Sequence, residues 1–185
     1  MSDLHDIKVA MIAMDGFEES ELTEPRKALE AAGAKVDVIS AHAGEIQGFK
    51  HHDKAGKTRV DKTLDEAKSN DYDALMLPGG ALNADDARAN PQVRAFIRAI
   101  DRAGKPMAAI CHAPWELISA GIVRGRKLTS WNTIQDDISN AGAEWTDREV
   151  VVDRNLVTSR SPKDLPAFNR EMLALFSRVH AGAHL

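Results

Sequence analysis

The stretch "KPMAAICHAPWELISAG", residues 105 to 121, decides the fold. Its apolar run "PMAAI" reads as a buried strand, and "PWELISAG" after it carries a helical pattern closed by Gly121. Between the two stands Cys111, the one cysteine in 185 residues, with His112 directly after it. A reactive side chain at a sharp strand-to-helix turn needs small residues two before and two after it. Ala109 and Ala113 meet that need. The amides that open the following helix would favour a thiolate and could hold an oxyanion. A buried, inert thiol is the competing reading, because free cysteine is among the most buried residue types. Spacing alone leaves the two even.

Working outward, short apolar runs alternate with longer amphipathic ones. "IKVAMIAM" (7–14), "KVDVIS" (35–40) and "YDALMLPGG" (72–80) read as strands, the last ending in a sharp Pro-Gly-Gly turn. "ESELTEPRKALEAAG" (19–33) reads as a helix in which Pro25 is awkward, since proline suits a first turn and kinks a later one. Residues 42 to 62 read as a hairpin or excursion loop, and "TLDEAKS" as a short helix. "PQVRAFIRAIDRAG" (91–104) places Val93, Phe96, Ile97 and Ile100 on one face. "KLTS" reads as a short strand, and "NTIQDDISNAG" (132–142) as a helix capped by Asn132. "EVVVDRNLVTS" (149–159) reads as a hairpin turning at 153–155. The last helix spans 161–179, with Ser161 as cap and Pro162 at its first position, and "HAGAHL" reads as a loose tail.

This alternation predicts one α/β domain with a core over about 7–175, built on a parallel sheet with helices on both faces. Sites in such folds sit at the carboxyl ends of strands. Three ends then matter: Asp15–Glu21, Pro78–Gly80 and Cys111–His112. Hydrophobic residues make up 43% and charged residues 28%, an ordinary globular composition. Net charge is -4 with mixed signs, so no nucleic-acid or membrane surface is expected. The apolar run near the start is too short for a signal segment or a membrane span. A lone cysteine forms no internal disulfide, which makes a reducing cytoplasm the default expectation.

Glu18 and Glu21 lie three apart and would share a helix face. A solvated first turn explains such a run. If that strand end lies beside Cys111, one carboxylate faces the sulfur and tends to keep its proton. His112 has the intrinsic pKa of a general base. Gly79 and Gly80 offer amides that a small ligand can approach. Trp131 and Arg160 are candidates for the wall of a pocket or for structural roles. His51-His52 and the tail histidines have no matching ligand spacing, so no metal and no other cofactor is expected.

These pieces together resemble the PfpI family, within the larger ThiJ/PfpI superfamily. The residues that carry the resemblance are "GFEESEL" (16–22), "DALMLPGG" (73–80), "AAICHAPWELISAGIVRGRKLTSW" (108–131), "DDISNAGAEW" (136–145) and "LVTSRSPKDL" (156–165). The resemblance implies a flavodoxin-like fold, related to class I glutamine amidotransferase domains, with the cysteine at a nucleophile elbow. Cys111 would be the nucleophile and His112 its neighbour in a triad. Glu21 would hydrogen-bond the cysteine, with Glu18 close by. The amides of Gly80 and His112 would form the oxyanion site. Members are described variously as intracellular cysteine peptidases, glyoxalases, protein deglycases and stress proteins, and are usually dimers. In peptidase-like members a neighbouring subunit supplies an acid shortly after Pro-Gly-Gly. This sequence has Ala84 at that place, with Asp85 and Asp86 following, which weakens a peptidase reading.

Two functions follow as expectations. In the first, Cys111 attacks a small carbonyl or acyl carbon, as in methylglyoxal or its adducts on proteins or nucleotides. In the second, the protein is a non-enzymatic stress sensor whose Cys111 is oxidised to a sulfinate held by protonated Glu21.

Overall fold

A computed structural model describes residues 3–179. The tail "HAGAHL", with its histidines, lies outside the described residues. In chain order the elements are β1 (Lys8–Ile12), β2 (Phe17–Glu18), α1 (Glu19–Ala31), β3 (Lys35–Ser40), β4 (Glu45–Lys50), β5 (Asp53–Arg59), β6 (Lys62–Thr63) and β7 (Ala74–Leu77). Then come α2 (Ala81–Ala89), α3 (Pro91–Arg102), β8 (Met107–Ile110), α4 (Pro114–Ala120), β9 (Lys127–Leu128) and α5 (Gln135–Asn140). The chain closes with β10 (Glu144–Trp145), β11 (Val150–Asp153), β12 (Leu156–Ser159) and α6 (Leu165–Phe176).

Seven strands form the central sheet in the order β11-β12-β8-β7-β1-β3-β6. Every neighbouring pair is parallel except β11 with β12. The flavodoxin-like parallel sheet expected from the sequence is therefore present. Its strands read as unbroken apolar runs because both faces are covered. In β1, Val9 and Met11 join the core under α1 and α6, while Ala10 and Ile12 join the core under α3 and α4. In β8, Ala108 and Ile110 go to the first core, and Met107 and Ala109 to the second. The two-residue period of a strand sorts them.

The structure departs from the sequence expectations in four places. "TLDEAKS" forms no helix. The Glu66 carboxylate accepts from both the amide and the hydroxyl of Thr63, and the segment ends after one turn. So short a run cannot repay helix nucleation on its own. Residues 81–89, which no periodicity marked, form α2 directly after Gly80. Asn132 and Ser161 cap nothing with their side chains, because each helix opens through a 3-10 turn instead. Pro25 sits inside α1 without breaking it, though it has no N–H for the Glu21 carbonyl four residues back.

One side chain works against the fold. Glu116 on α4 is fully buried, and neither carboxyl oxygen has a hydrogen-bond partner. Burial pushes its pKa well up, so it sits as a neutral acid. A buried polar group left unbonded costs about 1–3 kcal/mol.

Candidate active site

Three neighbouring strands, β1, β7 and β8, run out at the same edge of the sheet. β8 delivers Cys111. Its backbone φ is 65°, in the left-handed region that side chains with a β-carbon rarely enter. Two hydrogen bonds hold it there. The Cys111 amide donates to the Ser159 carbonyl at 3.0 Å, and its carbonyl accepts from the Trp131 amide at 2.9 Å. The strain is thus over-determined by β12 and by the segment after β9. The residue is 7% exposed.

β7 delivers Gly79 and Gly80. A β-carbon on Gly79 would lie 2.1 Å from Glu21 Oε2 and 2.6 Å from Cys111 Cβ. Glycine here is what lets the Glu21 carboxyl and the cysteine share one space. Gly80 has φ 98°, and a β-carbon there would meet the Gly16 carbonyl oxygen at 2.4 Å. The Gly80 and His112 amides point at the Cys111 sulfur.

The end of β1 delivers the acids. They do not share a helix face as the spacing predicted. Glu18 lies in β2, in extended backbone, and Glu21 lies in the first turn of α1. They converge on one cavity all the same. Glu18 Oε2 accepts from the His51 amide at 3.0 Å, tying the β4–β5 turn to the site. Glu21 is fully buried, and its oxygens make no hydrogen bond of ordinary geometry. Burial first, and Glu18 second, push its pKa up to about 8, while the Gly79 amide and the Cys111 thiol oppose the rise.

The sequence expectation of a lowered thiol pKa is not met. Burial, then Glu21, pushes the Cys111 thiol well up, against the pull of the Gly80 and His112 amides. Burial lowers the His112 pKa, which keeps the imidazole neutral at pH 7. His112 Nδ1 lies 3.1 Å from Cys111 Sγ. The ring stacks on Trp131, with centroids 5.9 Å apart, and meets Trp115 edge-on at 5.2 Å. The site thus joins a thiol, a neutral base and a proton-bearing acid, with two amides aimed at one point.

These groups open into a cavity of about 510 Å³. Glu18, Glu21, Gly80, Cys111, His112 and Trp131 line it, as do Phe49, His51 and His52 of the β4–β5 hairpin and Leu82 of α2. Two proposed wall residues stand elsewhere. Gly79 is buried beneath the wall, between Glu21 and Cys111. Arg160 is drawn off by Asp164 at 2.8 Å and Asp147 at 2.7 Å. Asp85 and Asp86 are exposed on α2 and do not line the cavity, while Ala84 faces the interior. Among the described residues the His112 ring bonds the sulfur and no carboxylate. Sequence reasoning set His51 and His52 aside on ligand spacing, which says nothing of walls. The hairpin among the readings of residues 42 to 62 is present as β4 and β5, and its turn carries both histidines. No cluster of three metal-ligating side chains occurs among the described residues. No helix among them is long and apolar enough to cross a membrane.

The pattern of the DJ-1/PfpI family matches residues 7–175. The chain belongs to the DJ-1/PfpI family. Among its relatives is "Protein/nucleic acid deglycase 2" of Escherichia coli strain K12, 46% identical over 170 residues, which are 91% of this chain and 96% of that one. "General stress protein 18" of Bacillus subtilis strain 168 is 43% identical over 172 residues, 92% of this chain and 98% of that one. A solved structure of a two-domain protein from Anabaena variabilis, with DJ-1/ThiJ/PfpI-like and ferritin-like domains, superposes with a TM-score of 0.86 at 36% identity. That match covers 91% of this chain and 47% of the other, so this chain spans about half its length.

One consequence is measurable through stability. Folded Glu21 keeps its proton up to about pH 8, whereas its ordinary value is 4.5. Between those values the folded state binds more protons than the unfolded one. The Glu21 contribution to stability is therefore full below about pH 4.5 and falls as pH rises towards 8. Glu21→Gln removes this titration, and Glu116 affects both proteins alike. Urea unfolding at pH 5 and pH 8 should show a smaller loss in the variant. Equal losses would mean that Glu21 is ionised in the fold.

Proposed function

We propose that this protein is a cysteine-dependent deglycase, releasing amines from adducts of small dicarbonyls such as methylglyoxal. One observation carries the reading: the His112 imidazole, neutral and 3.1 Å from the buried Cys111 thiol, can take its proton at the moment of attack. Deglycase names among the relatives support it.

In this reading Cys111 Sγ displaces the amine from the adduct carbon. His112 passes the thiol proton to the leaving nitrogen, and a hemithioacetal of methylglyoxal remains on the sulfur. A proton then moves from the former aldehyde carbon to the neighbouring carbonyl carbon, and the hydroxyl proton passes to that carbonyl's oxygen, leaving a lactoyl thioester. Water cleaves the thioester to lactate and the free thiol. The Gly80 and His112 amides stabilise the oxyanions formed on the way. Glu21, neutral at pH 7, removes a negative charge that would otherwise oppose a thiolate.

Oxidation sensing needs an accessible thiolate, and Cys111 is only 7% exposed. Purified protein mixed with methylglyoxal-treated N-acetyl-arginine should release lactate and regenerate the amine above the spontaneous rate. Lactate release no faster than the blank would overturn the reading.

A further inference from the structure

Away from the cysteine site, where α3 and α4 end, a cavity of about 350 Å³ opens. Its wall carries five arginines, Arg98, Arg102, Arg124, Arg126 and Arg154, and a single acid, Asp101. The chain as a whole is negative, at -4, so this positive field runs against the balance of the protein.

The acid is already spent. Arg126 has a side chain only 7% exposed and pairs with Asp101. It also donates to Asn155 Oδ1 at 2.7 Å and to the Ile122 carbonyl at 2.9 Å. Asn155 gives Asp101 a further contact at 3.3 Å. Arg126 is thus a fixed post in the floor, with its charge cancelled. Among the described residues Arg154 pairs with Asp153 alone, at 3.5 Å, with 60% of its side chain exposed. Arg98, Arg102 and Arg124 have no ion pair among the described residues. Arg98 and Arg102 are four apart on α3, which puts both on the same face.

A helix C-terminus attracts cations, and α3 ends here. That explanation falls short. The last carbonyls of α3 already accept from the amides of Ala103, Gly104 and Lys105. It also leaves out Arg124 and Arg154, which come from the segments before β9 and β12. Like charges gathered in one concavity repel unless a counter-ion sits among them.

We propose that this concavity binds a small polyanion through a chain of phosphate groups. A guanidinium presents a planar fork that matches two phosphate oxygens, and several forks facing one space suit more than one phosphate. The volume falls in the range of small-molecule sites, and a concave pocket of this size fits a compact ligand better than an extended strand. The site is separate from the cysteine cavity and does not depend on the deglycase reading.

Calorimetric titration of the full chain with inorganic tripolyphosphate at low salt tests this. Saturable one-to-one binding is expected, weakening as salt rises. Arg98→Gln/Arg102→Gln should lose affinity by at least about tenfold, as should Arg124→Gln, with the ligand-free variants no less resistant to heat than the parent. All three side chains are at least partly exposed, so the fold does not depend on them. Adenosine triphosphate and a short single-stranded oligonucleotide form two further arms. Equal affinity for tripolyphosphate and the nucleotide means that the phosphate chain alone is read, and tighter nucleotide binding means that a nucleoside adds contacts. No saturable tripolyphosphate binding, wild-type affinity in the variants, or binding of the oligonucleotide alone overturns the proposal.

Discussion

Cys111→Ser should lower kcat/KM on a methylglyoxal adduct by at least about 10³-fold while leaving the protein folded. The serine hydroxyl is a far weaker acid than the thiol, so His112, whose own pKa burial lowers, cannot strip its proton at pH 7. The substitution changes one atom and keeps the backbone bonds to Ser159 and Trp131 that hold the turn. Loss of activity would therefore report chemistry and not collapse. Parallel circular dichroism and thermal unfolding separate the two. A serine variant within tenfold of wild type would falsify the role assigned to the sulfur.

Gly79→Ala should be the most damaging single methyl near the site. The added carbon would sit 2.1 Å from Glu21 Oε2, 2.6 Å from Cys111 Cβ and 2.9 Å from the Ile110 carbonyl oxygen. None of these can retreat. Glu21 is fully enclosed, Cys111 is clamped in a left-handed turn, and Ile110 is the last residue of a central strand. Overpacking of this kind costs about 2–3 kcal/mol, which for a chain of this size lowers Tm by roughly 5–10 °C. Activity should fall further than stability, because the carboxyl is driven off the sulfur. Denaturant unfolding and kinetics on the same preparation check both. A loss under about 0.5 kcal/mol would mean that the cradle is looser than the distances say.

Much of this was legible in the sequence. "IKVAMIAM", "DALMLPGG" and "PMAAI" announced buried parallel strands because burial on both faces leaves no polar alternation to confuse the reading. The turn at Cys111 was marked by Ala109 and Ala113, and its acids by "GFEESEL". What escaped has physical causes. α2 is a weakly amphipathic run of alanines and polar residues, and it is fixed by packing on α4 and not by any pattern of its own. The raised thiol pKa was invisible because it depends on enclosure by Glu21 and Gly79, which sit about 90 and 32 positions away in the chain. Arg160 was open to a structural or a wall role, and its ion pairs make it structural: Asp164 stands four residues on, while Asp147 is a partner that no helical spacing foretells.

The β4–β5 hairpin leaves the main sheet after β3 and returns to it at β6, and β3 and β6 are themselves paired. Residues 45–59 can therefore lengthen, shorten or change character without shifting the register of any strand that carries Cys111 or Gly79. They meet the reactive centre along β2, whose Phe17 and Glu18 pair with Gly48 and Phe49 of β4, and through the Glu18 bond to His51. Drift in this hairpin alters what enters the cavity before it alters what happens there. Descendants of this chain can change their range of substrates one loop at a time, while the buried thiol and its acid stay as they are.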